Sequence, residues 1–68
     1  MSIYPRANKI KMQRILSGMS MRALARKSGL NNSTISNIET HNHSVHPKSA
    51  KAICDALNAE FDELFEVN

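Results

Sequence analysis

One cysteine, two glycines and no long apolar run leave this 68-residue chain few ways to be stable and few chemistries to perform. Cys54 has no partner, so an intrachain disulfide is impossible and a reducing cytoplasm is the expected setting. No apolar stretch approaches the length of a membrane span, and Met1 to Arg6 lacks the apolar middle of a signal peptide; a soluble protein without a membrane partner is expected. With only Gly18 and Gly29 present, no glycine loop can cradle a phosphate group. No Ser, His and acid are suggested together, so no catalytic residue, cofactor or small-molecule ligand is assigned. No segment alternates like a strand, and there is no repeat, linker or low-complexity stretch.

What is present is charge sorted by position and apolar residues at helical spacing. All nine basic residues lie between Arg6 and Lys51, where Glu39 is the only acid, whereas Asp55 to Asn68 carries the other five acids and no base. The basic part suits a polyanion and the acidic end repels one. Sixty-eight residues make one domain with one small core. Met1 to Pro5 reads as a short arm. Ile10, Met12, Ile15, Leu16 and Met19 form an apolar stripe that predicts a first helix over Arg6 to Leu16, ended by Ser17 and Gly18. Ser20 caps a second, Met21 to Ser28, with Leu24 and Ala25 inward and Gly29 as its stop. Asn31 caps a third, about Asn32 to Thr40, with Ile35 and Ile38 inward. Pro47 opens a fourth whose inward stripe is Ala50, Ile53, Cys54 and Leu57. A short fifth, about Phe61 to Phe65, carries Asp62 and Glu63 in its first turn, where the helix dipole favours acids.

The order from Met21 to Thr40, a helix, a turn holding Gly29, then a helix, is a helix-turn-helix arrangement. Ala25 is small where the two helices approach, and Leu24, Leu30, Ile35 and Ile38 fill the angle between them. Together with "IKMQRILSGMSMRALARKSGL", "NNSTISNIE" and "AKAICDALNAEFDELF", this resembles the DNA-binding domain of the Xre, or lambda-repressor-like, family over about residues 10 to 65. The resemblance implies an all-α, compact five-helix domain that binds double-stranded DNA sequence-specifically. It also implies a transcriptional regulator of repressor type, from a bacterium, its phage or a mobile element, acting as a homodimer at least on DNA.

In similar proteins the third helix enters the major groove, which here points to Asn32, Ser33 and Asn37 as base readers, with Ser36 and Thr40 on the same outward face. Asn can bond adenine through both polar atoms, and short Ser or Thr side chains let the backbone come close to DNA. No Arg lies on that face, so the commonest guanine contact is not available from this helix. The family's phosphate contacts fall on Ser20 and Met21, on Asn31, and on the loop from His41 to Ser44, including His43. Arg22, Arg26, Lys27, Lys48 and Lys51 join them by charge, and Thr40 by position. Arg14 and Glu39 match a family pair that ties the first helix to the third. Met21 stands where the family often has Gln, His41 where Gly is common, and Val45 where Pro is common.

Three histidines within six residues, His41, His43 and His46, could offer a metal three ligands, but the loop holds no carboxylate or cysteine to complete a set, and no metal is expected. Cys54 is expected as a buried small hydrophobe. Nothing beyond the one domain is expected, so regulation would rest on protein concentration and affinity. The alternative function is an antitoxin or adaptor that holds a partner protein through the acidic end from Asp55 to Asn68. Tyr4, Phe65 and Val67 are candidates for a subunit interface or for the core.

Overall fold

The computed structural model describes residues 1–41 and 43–68. Along the chain run β1 (Ile3–Pro5), α1 (Ala7–Leu16), α2 (Met21–Ser28), α3 (Asn32–Thr40), α4 (Pro47–Leu57), α5 (Phe61–Leu64) and β2 (Phe65–Val67). The five expected helices are all present. Their ends follow local chemistry. The Ser20 hydroxyl accepts from the Ala23 amide at 3.0 Å and opens α2, and Gly29, at φ 75°, closes it in a left-handed conformation that a side chain would strain. His46 opens α4 by accepting the Lys48 amide on Nδ1 at 3.2 Å, with Pro47 in the first turn. Asn58 closes α4 at φ 53°, a region Asn tolerates better than most residues.

The core gathers Ile10, Leu24, Ile35, Ile53, Leu64 and Phe65, all essentially inaccessible, around the small residues Ala25, Ala50 and Ala56. Small side chains let α2 and α4 pack closely, while the β-branched and aromatic ones fill the space between them.

Three expectations need correction. The segment expected as an arm is a strand: β1 pairs antiparallel with β2, in the register Ile3↔Val67, Tyr4↔Glu66 and Pro5↔Phe65. Three residues are too few to show alternation, and the partner lies some sixty positions away, so sequence periodicity carries no trace of it. The fifth helix accordingly ends at Leu64, and Phe65 enters the strand fully buried. The apolar stripe of α1 is not a core stripe. Ile10 is buried, but Met12, Ile15 and Leu16 are 58%, 53% and 72% exposed. The inward position one turn after Ile10 belongs instead to Arg14.

Candidate nucleic-acid interface

The third helix presents two unlike sides. Ile35 and Ile38 are buried against α2 and the core, while Ser33, Ser36, Asn37 and Thr40, spaced three and four apart, share the opposite side. Asn32, Ser33, Asn37 and Thr40 are exposed, and Ser36 is half-buried. The Thr40 hydroxyl donates to the Ser36 carbonyl at 2.7 Å, so its hydrogen is satisfied within the helix and its lone pairs face outward. Short polar residues lower intrinsic helix propensity, and the buried isoleucines hold the helix in place of it.

A second anchor fixes this helix from behind. Arg14 on α1 meets Glu39 through both ends of its fork, Nε to Oε2 at 2.7 Å and Nη2 to Oε1 at 3.0 Å, while Nη1 donates to the Met19 carbonyl at 2.8 Å. The two side chains are 9% and 2% exposed. Bidentate geometry plus the carbonyl satisfies charges that burial would otherwise penalise, and it sets both the rotation and the height of α3. The expected structural pair is thus present and buried.

The two helix starts expected at phosphate differ. At α2 the Ser20 oxygen occupies the Ala23 amide, Met21 leans partly into the core, and Arg22 is exposed. At α3 the expected cap is absent: Asn31 has the extended backbone of a cap residue, but its side chain accepts no amide, and it is exposed. The first amides of α3 therefore keep their hydrogen-bonding capacity and the positive end of the helix dipole.

Beyond Thr40, His41, His43 and Ser44 are exposed, with the rings of His41 and His43 5.6 Å apart. The same loop borders a groove of about 340 Å³ beside α3, lined by Thr34, Asn37, His43, Ser44, His46 and Ser49 among others. Thr34 and Ser49 escaped sequence reasoning. Thr34 lies one turn before the assigned Asn37 and Ser49 next to the assigned Lys48, and that nearness was the available signal. Lys48 is exposed at the start of α4. Lys51, by contrast, sits 3.4 Å from Asp55 on an exposed surface. Arg26 and Lys27 are exposed near the end of α2. Among the described residues no three His, Cys, Asp or Glu are grouped to hold a metal ion, and no helix is long and apolar enough to cross a membrane. Cys54 is buried, and desolvation, then the Asp55 and Glu60 carboxylates, push its thiol pKa above the ordinary value.

Comparison with known proteins places this geometry in context. Residues 10–64 match the Helix-turn-helix family model. No curated protein matches the chain. Among solved structures, the restriction-modification controller protein C.AhdI from Aeromonas hydrophila is 26% identical, with a TM-score of 0.78, covering 84% of this chain and 86% of its own. The restriction-modification controller protein C.Esp1396I is 33% identical, with a TM-score of 0.74 and coverages of 84% and 78%. SinR, a master regulator for biofilm formation whose structure is in complex with DNA, shares the fold at 24% identity, with a TM-score of 0.78 and coverages of 82% and 90%.

Proposed function

Because the chain belongs to the helix-turn-helix family, we propose that it binds duplex DNA sequence-specifically and regulates transcription as a repressor-type protein, the whole chain serving as one DNA-binding domain. The observation that carries this reading is the outward side of α3: uncharged, short and polar from Ser33 to Thr40, on a helix locked from behind by the buried Arg14–Glu39 pair. A solvated helix needs no such anchor. A helix that must present side chains to base edges does, because base readout depends on hydrogen bonds of fixed length and direction.

In this reading Asn32, Ser33, Ser36 and Asn37 meet base edges in the major groove, and Asn37 is the natural bidentate partner of an adenine. Phosphates on either side are met by Ser20, Met21 and Arg22 at the start of α2 and by the open amides at Asn31. Thr40 at the end of α3, and His41, His43, Ser44 and Lys48 beyond it, meet them as well. These contacts fix the register without reading sequence. One helix reads only a few base pairs, so two copies on two half-sites complete the site. The likeness to the restriction-modification controllers supports a regulatory role. The protein acts in the cytoplasm without enzymatic chemistry, cofactor or small-molecule effector.

Selection of bound sequences from random duplex DNA tests the proposal. The expected result is a motif of two related half-sites. Recovery of no motif, with binding that tracks only salt, would reduce the protein to a nonspecific cation, and failure to retain duplex DNA at all would favour the protein-partner role of the acidic end.

A further inference from the structure

Among the described residues the large apolar side chains left exposed are Met1 and Val67 near the chain ends, and Met12, Ile15 and Leu16 together on α1. The three on α1 form one strip. Spaced three and four apart, they share one side of the helix, and each is more than half exposed. Lys9 and Lys11 flank the strip one turn earlier, both exposed, and among the described residues neither forms an ion pair. No acid precedes Glu39 in the chain, and Glu39 is itself buried against Arg14. The direction of the strip is set by that pair. Arg14 turns inward to Glu39 on α3, and Met12 and Leu16, two residues to either side of it, stand about 200° around the helix from Arg14. The strip therefore faces away from α3 and from any duplex that α3 engages.

We propose that this face of α1 docks a different protein, through an amphipathic helix whose apolar residues recur at three and four and whose neighbouring residues are carboxylates. Charge complementarity selects that occupant. Two apolar helix faces pack ridge against ridge, so a helix covers Met12, Ile15 and Leu16 along their whole length and sets its carboxylates opposite Lys9 and Lys11. A phosphate backbone would satisfy the two lysines and leave the apolar strip in water. Two α1 faces of this chain laid together would bring lysine against lysine. An anionic bilayer would meet both features, but a ten-residue helix with no aromatic side chain has little to bury in it. The inference goes beyond the DNA-binding reading and does not depend on it. Because the strip and the outward side of α3 point in different directions, partner and duplex are held at the same time.

The test is an NMR titration of the isotope-labelled chain with a synthetic helix of Leu and Glu, Leu recurring at i, i+3, i+4 and i+7, beside the same helix with Lys in place of Glu. The Leu and Glu helix is expected to shift the amides of α1 and few others, and the Leu and Lys helix to shift none. Leu16→Glu is expected to melt like the parent, since a side chain mostly in water holds no core. It should weaken binding of the Leu and Glu helix at least about tenfold, by setting a carboxylate in the middle of the apolar contact. Lys9→Glu with Lys11→Glu should weaken it too and let the Leu and Lys helix bind instead. Silence of the α1 amides, equal binding by Leu16→Glu, or no preference between the two helices would overturn the proposal. Two further results would assign the strip to another occupant and overturn it as well: phosphatidylglycerol vesicles bound by the parent and released by Leu16→Glu, or self-association in sedimentation that Leu16→Glu abolishes. None of these readouts involves DNA, so a failure of the DNA-binding reading is seen separately, in the sequence selection.

Discussion

The two helices of the helix-turn-helix are almost equal in length and opposite in design. α2 closes its own start with Ser20 and carries Arg22, Arg26 and Lys27 outward, whereas α3 leaves its start open and carries no charge on its outward side. Long cations neutralise phosphate from many positions and tolerate motion. Short amides and hydroxyls work only when their backbone is placed to a fraction of an ångström, and α3 is the helix that receives the buried ion pair. In the proposed DNA-binding reading one helix supplies attraction and the other discrimination, and the rigid anchor lies on the helix that discriminates.

Breaking the anchor should give the largest effect. Glu39→Ala leaves the Arg14 guanidinium buried with only the Met19 carbonyl, and a loss of about 3 to 5 kcal/mol of stability is expected from chemical denaturation. The double variant with Arg14→Met should recover part of it, because removing both charges removes the uncompensated one. A melting curve unchanged by Glu39→Ala would mean that α3 is held by its isoleucines alone.

The contrast between the helix starts predicts a smaller split. Ser20→Ala should cost about 1 kcal/mol of stability through the lost Ala23 bond. Asn31→Ala, whose side chain caps nothing and whose open amides remain, should stay within about 0.5 kcal/mol. Equal stability losses at the two positions would erase the distinction.

Smallest of all is the effect at Cys54, buried on the inward stripe of α4. Burial raises its pKa above that of a thiol in the unfolded chain, so at pH 8 the folded protein holds less thiolate, and labelling by a thiol reagent should be several-fold slower folded than in denaturant. Equal rates would place the thiol in solvent.

Much of this was legible in the sequence because it is local. Caps, turn glycine and inward stripes act within a few residues, so α2, α3 and α4 and the Gly29 turn follow from spacing, with α2 and α3 bounded as expected. The Arg14–Glu39 pair came from family likeness, since twenty-five positions separate partners that nothing local connects. What stayed hidden depends on distant chain. Phe65 leaves its helix because β1 waits beside it, and Met12, Ile15 and Leu16 look inward on a periodic plot only because the plot cannot know that Arg14 takes the buried side. Of the candidate interface, the polar side of α3 was visible as composition, and its groove with Thr34 and Ser49 was not.

The central claim is that α3 reads bases while α2 supplies charge, and one titration series addresses it. Affinities of the parent, Asn37→Ala and Arg22→Ala are measured on the selected duplex and on a scrambled one, at several salt concentrations. Asn37→Ala should lose about 1 to 3 kcal/mol on the selected duplex, little on the scrambled one, and leave the salt slope where it was, since an amide bonding a base edge releases no ions. Arg22→Ala should weaken both duplexes alike and flatten the slope by about one unit. If Asn37→Ala kept full preference for the selected duplex, the outward side of α3 would not be reading bases through that residue, and the division of labour between the two helices would be contradicted.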